Sequence, residues 1–506
     1  MSSELPQEKC PNRARSALSG LGWTTAQAWV GVAAQIGMLV CLSRLVNPRE
    51  FGLYGVALAP ITLMAAFAEF GLGPGIVRSR SSAGLAAAAA GFIAVFLSSA
   101  LFVSILLVNY NLPFLFAMEG EVSELISWLA IIIIISPFLA ISRGVLQRSH
   151  RFEEMARIEI VSLIVNVVIS VSCAAIGLGA WALAAGQLGY QFTNVILSLL
   201  AARPSIGYHR QEVIDLIRFS WVFVWLRIID TATMTLDRLV VSGAAGVSAV
   251  GYYQRGTNVR TIASAMAFAP MDVFSFPRLS AVFDRPEALR REFDNAKALA
   301  LISSVPISIA IIVAAGEWTS ILFGSAWQPA AALIQIMSLV LPFRALDRAN
   351  AVLARSAGRQ GWRVPIQLIM LGSSLLALYV LAPSSLFAAT LTVSCIVAGA
   401  TVPSAALSAS ILGRPFRAEI RLALPCIFAW LLVIAVGLGA SRFGALAMPG
   451  WLASLVSAGG ATCLFLSIIS FKPHWIFPEQ TASLMHAYRK GGQLRVRKAL
   501  IRWRLR

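Results

Sequence analysis

Charge is what this 506-residue chain has least of: Asp, Glu, Lys and Arg together make up 13% of it, about half the share usual in soluble domains. Forty-one basic and 23 acidic residues cannot cover the surface of a soluble protein this long, which excludes a soluble enzyme. The apolar fraction of 58% and mean hydropathy of +0.77 exclude disorder as well. Only six cysteines and four histidines occur. Five of the cysteines lie inside apolar runs, no Cys-x-x-Cys is present, and His150, His209, His474 and His486 are scattered. No metal centre or disulfide framework is expected. No phosphate loop of the Gly-x-x-x-x-Gly-Lys-Ser/Thr kind occurs either, so no ATP site and no other cofactor is expected. No cleavable signal peptide is expected, because the first eighteen residues are polar and the apolar run after them is too long for a signal h-region.

What is present is long apolar runs. Spans of about 20 residues suit a bilayer. They fall at roughly 19–45, 52–77, 84–109, 125–147, 157–179, 181–202, 217–243, 248–277, 296–322, 328–354, 363–382, 384–412, 420–440 and 449–471. The net charge of +18 does not point to nucleic acid, since the basic residues sit in short clusters between these runs. With the N-terminus inside, thirty-one Lys and Arg fall in inside segments and only Arg49 and Arg442 in outside loops. That asymmetry predicts fourteen helices with both termini cytoplasmic. The tail from 472 to 506 interleaves Arg495, Arg497, Lys498, Arg502, Arg504 and Arg506 with apolar residues. It reads either as a basic amphipathic helix on the anionic leaflet or as a disordered, topology-setting tail.

Two short elements recur in the same order. Arg44-Leu45-Val46 precedes Gly52-Leu53-Tyr54, and Arg238-Leu239-Val240 precedes Gly251-Tyr252-Tyr253, at separations of 194 and 199 residues. Both straddle the first outside loop of a half, which suggests a parallel repeat about an axis normal to the membrane. The expected architecture is an all-α polytopic membrane protein, two bundles facing each other across a central cleft. Its expected parts are an N-terminal segment 1–18, a six-helix bundle 19–202, a linker 203–216, a second bundle 217–412, an extra helix pair 413–471 and the tail 472–506.

Ionisable residues inside spans are expensive and mark function by default. Arg227, Asp230, Asp237 and Arg238 share one face of span seven, and Arg344, Asp347 and Arg348 one face of span ten. Arg255, Asn258 and Arg260 lie in span eight. Arg143 ends span four, Glu69 precedes the Gly71-Leu72-Gly73-Pro74-Gly75 break, and Gln187, Gln191 and Asn194 form a stripe on span six. Guanidinium groups bind phosphate oxygens bidentately and stay charged at neutral pH. The candidate anion ligands are therefore Arg227, Arg255, Arg260, Arg344, Arg348 and Arg143. Asp230, Asp237, Asp347 and Glu69 would pair with them or titrate, and Gln187, Gln191, Asn194 and Asn258, with Trp221, Trp225, Tyr252 and Tyr253, would meet sugar. The competing reading is structural: Arg227 with Asp230, and Arg344 with Asp347, pair and lock helices, while the amide stripe serves as helix–helix glue.

Several stretches carry a resemblance. The run Leu42-Ser43-Arg44-Leu45-Val46-Asn47-Pro48-Arg49-Glu50-Phe51-Gly52-Leu53-Tyr54 resembles the first loop of bacterial polysaccharide exporters of the Wzx type. Glu69-Phe70-Gly71-Leu72-Gly73, Arg151-Phe152-Glu153-Glu154, Gly177-Leu178-Gly179-Ala180-Trp181-Ala182-Leu183 and Asp237-Arg238-Leu239-Val240 follow in the same order. The resemblance implies the multidrug/oligosaccharidyl-lipid/polysaccharide superfamily, with two six-helix bundles around a V-shaped central cavity and a final pair. It implies flipping of undecaprenyl-pyrophosphate-linked oligosaccharide across the inner membrane by a monomeric unit, beside a polymerase and co-polymerase. Proton or sodium coupling is plausible in that superfamily and is not readable from these residues. The alternatives are a lipid II flippase, a cation-coupled drug antiporter, which calls for acidic residues to dominate the cavity, and a membrane glycosyltransferase or polymerase, which calls for a large outside domain.

Overall fold

In a computed structural model, the structure describes residues 30–79, 83–111, 120–204, 210–446 and 448–471. The N-terminal segment 1–18, the first residues of span one, the acidic residue Glu119 and the basic tail lie outside the described residues. Within them the chain is helical and contains no strand.

The helices are α1 (Val30–Leu45), α2 (Pro48–Glu69), α3 (Leu72–Arg78), α4 (Ala83–Asn111), α5 (Gly120–Leu129), α6 (Ile131–Arg148), α7 (Phe152–Ala175), α8 (Ala180–Ala202), α9 (Arg210–Ala245), α10 (Val247–Ala281) and α11 (Pro286–Phe323). They continue with α12 (Gln328–Leu339), α13 (Leu341–Ser356), α14 (Val364–Leu381), α15 (Leu386–Gly399), α16 (Thr401–Leu412), α17 (Phe416–Gly444) and α18 (Gly450–Phe471). Among the described residues, ten stretches are long and apolar enough to cross a membrane: α2–α3, α4, α5–α6, α7, α11, α12–α13, α14, α15–α16, α17 and α18.

Contacts divide the chain into two units, Met1–Gly243 and Ala244–Arg506. The division falls one helix later than the 203–216 connection, so nearly all of α9 belongs to the first unit. The reason is local. Leu216 of α9 packs into the small-residue core formed by Leu72, Ile76, Ala86, Ala90 and Ile141, and the Ser220 hydroxyl donates to the Gly71 carbonyl at 3.3 Å. In the second unit, α17 and α18 pack on α11 around Trp430, Val433, Phe465, Leu301, Val305 and Ile309. The final helix pair is thus part of the second unit's core.

Sequence accounts for the main punctuation. Asn47 starts α2 with a reciprocal capping box: its side chain accepts from the Glu50 amide at 3.0 Å, and the Glu50 carboxylate accepts from the Asn47 amide at 3.3 Å. Pro48 occupies the first helical turn, where its missing N–H costs nothing. The break expected at Gly71 is present, with Phe70 and Gly71 both left-handed at φ 42° and 63°. The two residues re-aim the chain from α2 into α3.

Beyond that break the backbone of α3 meets the backbone of α6. A Cβ on Gly144 would stand 2.9 Å from the Gly73 carbonyl oxygen and 3.1 Å from its Cα. Helices in lipid exploit such small residues for close approach. Gly144→Val is therefore expected to destabilise the first unit by about 1–3 kcal/mol through overpacking. Thermal unfolding of the detergent-purified protein measures this; an unchanged melting temperature would mean that α3 and α6 do not meet here.

Candidate functional site

Each unit gathers charged residues from several helices. In the first, Glu69 ends α2 immediately before the left-handed pair. It lies 3.7 Å from the Arg227 guanidinium of α9 and within electrostatic reach of Arg143 on α6. Arg143 in turn pairs with Glu159 of α7 and donates to the Asn194 side-chain oxygen of α8 at 3.3 Å. The Glu159 carboxylate also accepts from the Tyr190 hydroxyl at 2.6 Å and from the Asn194 amide at 3.1 Å. Four helices therefore contribute to one chain of alternating charge, Arg227–Glu69–Arg143–Glu159, and α8 adds the neutral Tyr190 and Asn194 beside it.

Two features extend this cluster. Gln191 is half-buried, and its side-chain oxygen has no hydrogen-bond partner among the described residues; Gln187 is half-buried one turn earlier. Trp221 and Trp225 of α9 are exposed and meet edge-on at 5.7 Å, and Phe70 approaches Trp221 at 6.5 Å. An exposed aromatic row offers flat apolar faces beside polar groups, which is the chemistry that meets a sugar ring.

The second unit differs in sign. Arg344 of α13 lies within electrostatic reach of Arg348, Asp347 and Arg260, the last from α10. Three guanidinium groups thus share a neighbourhood with one carboxylate. Asp347 takes its hydrogen bond from Arg363, at 2.7 Å, so the close partner of that carboxylate comes from the turn before α14.

The remaining expected residues are placed as follows. Arg255 is enclosed, only 1% exposed, with its guanidinium 4.0 Å from the Trp327 ring centroid and 5.3 Å from that of Phe323. Tyr252 meets Trp327 edge-on at 6.2 Å. This is a cation–π cage, and it fills the space around Arg255 with aromatic carbon. Asn258 is half-buried on α10 and Asp230 exposed on α9. The Asp237 carboxylate accepts from the Arg238 amide at 2.8 Å.

Sequence reasoning missed two groups. Glu159 is an ionisable residue inside span five, flanked by Arg157-Ile158 and Ile160; the rule that singled out Glu69 applies to it equally. The other group lies where α11 and α17 meet. Lys297 and Glu419, with side chains 3% and 1% exposed, form a buried ion pair. Arg414 donates to Glu419 at 2.6 Å and holds Asp294 with two bonds of 3.1 and 2.7 Å. The Phe293 ring lies 4.8 Å from the Lys297 ammonium.

Residues 41–332, more than half of the chain, match the family described as polysaccharide biosynthesis protein. The chain is 21% identical over 334 residues to the lipopolysaccharide biosynthesis protein WzxC of Escherichia coli, covering 64% of this chain and 66% of that one. It is 22% identical over 330 residues to the succinoglycan biosynthesis transport protein ExoT of Rhizobium meliloti, again with 64% and 66% covered. The matches thus span just under two thirds of these relatives' own length. Among solved structures, the lipid II flippase MurJ in an inward closed conformation superposes with a TM-score of 0.70 at 12% identity, over 91% of this chain and 100% of that one. An inward-facing multidrug transporter of the MATE family superposes with a TM-score of 0.58 at 14% identity, over 76% and 94%. Ten apolar helices, charge clusters held inside helical units and the family match converge: the chain is a multi-pass membrane protein of the polysaccharide biosynthesis protein family, with the fold of the MurJ and MATE transporters.

Proposed function

We propose that the chain moves an undecaprenyl-pyrophosphate-linked oligosaccharide repeat unit from the cytoplasmic to the periplasmic leaflet of a bacterial inner membrane, by alternating access and without enzymatic chemistry. The observation that carries this reading is the basic cluster of the second unit. Arg260, Arg344 and Arg348 stand together with Asp347 as the acidic residue acting on Arg344 among the described residues. A cluster in which guanidinium groups outnumber carboxylates is costly at membrane depth and suits a phosphate-bearing cargo. The first unit carries groups of a different chemistry: its Arg143, Glu159, Tyr190 and Asn194 network and its exposed tryptophans are suited to hydroxyls and ring faces, with Gln187 and Gln191 as further amide contacts.

In this reading α1, α8, α9 and α10 also cross the bilayer and bring the helices to fourteen, with both termini cytoplasmic. The last three fall outside the ten apolar stretches because cargo-facing polar residues lower their hydropathy. The twofold order of Arg-Leu-Val and Gly-x-Tyr elements supports a parallel repeat, and a polymerase and co-polymerase would take the product onward. The drug-antiporter reading is less well supported, because Glu69 and Glu159 each face an arginine and offer no bare acidic site to a cation.

Arg344→Ala, introduced into a strain whose surface polymer depends on this chain, is expected to cut polymer output at least about tenfold while the protein still inserts at its normal level, since a lost charge-assisted contact is worth about 1.5–3 kcal/mol. Lipid-linked repeat units should accumulate. Normal polymer from that variant would sink the reading, and loss of viability in place of loss of polymer would transfer it to lipid II.

A further inference from the structure

Arg363 closes the turn Gln360–Arg363 that leads into α14. It is nearly buried, at 8% exposure, and reaches back to one residue of α13. One end of its guanidinium donates to the main-chain oxygen of Asp347 at 3.2 Å, and the other to the Asp347 carboxylate at 2.7 Å. Asp347 occupies the position three residues after Arg344 and next to Arg348. On an isolated helix, the i, i+3 spacing would direct its carboxylate to Arg344, and an anion approaching Arg344 would then have to displace it.

We infer that Arg363 is a positioning residue for the anion site: by holding Asp347 at both its backbone and its carboxylate, it keeps that acid from neutralising Arg344. The inference rests on the reading that this basic cluster takes an anionic headgroup. A rigid two-point hold on a single residue suits guanidinium, whose planar fork presents its donors in fixed directions, and does not suit an ammonium. Removing Arg363 has two consequences. The second unit loses a positive charge, and the freed Asp347 carboxylate turns toward the arginine it lies beside. Both weaken anion binding, and only the second is cured by removing the charge of Asp347.

The test uses the full chain in lipid nanodiscs and radiolabelled farnesyl pyrophosphate as probe. Arg363→Ala should weaken binding about tenfold, the size of one charge-assisted contact. Asp347→Asn alone should tighten it by about two- to threefold, a partly exposed charge being screened. The double variant Arg363→Ala/Asp347→Asn should bind about as tightly as the unaltered protein, the non-additivity expected of directly interacting groups, where simple additivity would leave it about three- to fivefold weaker. A mere clasp between α13 and α14 makes the other forecast: the double variant lacks the same guanidinium and would stay at least about threefold weaker than the unaltered protein. That outcome overturns the role assigned to Arg363. Arg344→Ala separates the two levels of the argument: if it binds the probe normally, the anion site itself is wrong and the inference falls with it. If Arg344→Ala abolishes binding while the double variant fails to recover, only the positioning role is lost.

Discussion

Glu419→Ala is expected to cost the fold about 3–5 kcal/mol, the penalty typical of breaking a buried ion pair from one side. The substitution leaves Lys297, 3% exposed, without its partner, and it also removes the acceptor at 2.6 Å from Arg414. Asp294 would be left to balance two cations while already holding Arg414 by two bonds. The four residues are electrically neutral as a set, so the cost lies in the imbalance. Lys297→Met should be nearly as damaging, because it leaves Glu419 and Asp294 facing Arg414 alone. Combining Lys297→Met with Glu419→Gln restores neutrality and keeps the Arg414–Asp294 pair. The double variant should therefore cost less than the sum of Lys297→Met and Glu419→Gln made singly, a coupling that a double-mutant cycle of thermal unfolding in detergent reads directly. Strict additivity would show that the two side chains do not share a buried network.

The second large effect is expected at Glu159. Its carboxylate accepts from Arg143, Tyr190 and Asn194, so Glu159→Ala strands three donors from two neighbouring helices. The expected destabilisation is about 2–3 kcal/mol, because each donor that loses its acceptor contributes, the fully buried Asn194 as well as the half-buried Arg143 and Tyr190. Arg143 keeps a side-chain exposure of 39%, which lets water repay part of that loss and holds the figure below that for Glu419. Glu159→Gln preserves shape and one acceptor oxygen, and should cost about half as much on the same grounds. The two variants also separate stability from transport: polymer output that falls in both, with the folded protein recovered only in Glu159→Gln, would mark the charge as part of the cargo path.

Much of this was legible in the residues, and the failures share a cause. Apolar length alone located the stretches that became α2–α3, α4, α7, α11 and α17–α18, since lipid imposes its thickness on any helix that crosses it. Local chemistry was equally readable: the Gly71-Leu72-Gly73 break and the basic face of α13 depend only on neighbours in sequence. Pairings did not yield to the same method. Asp347 was weighed against Arg344, its neighbour one turn away, and is held by Arg363. Lys297, at the edge of its span, reads in the sequence as one more inside charge, although its partner lies 122 residues further along the chain. Periodicity reports which side of a helix a residue occupies and carries no information about which distant helix that side meets. Glu159 escaped for a plainer reason, its place close to Arg157, where a loop merges into a span.

The Lys297–Glu419 pair also bears on motion. Separating those two groups would leave each charge without its close partner in a low-dielectric interior, so α11 and α17 are tied to move together, and α18, packed on both, goes with them. On the proposed alternating-access reading, the hairpin would ride as a keel on the second unit: its broad greasy flank would plough through surrounding acyl chains, and bilayer viscosity and thickness would become part of the resistance that sets the pace.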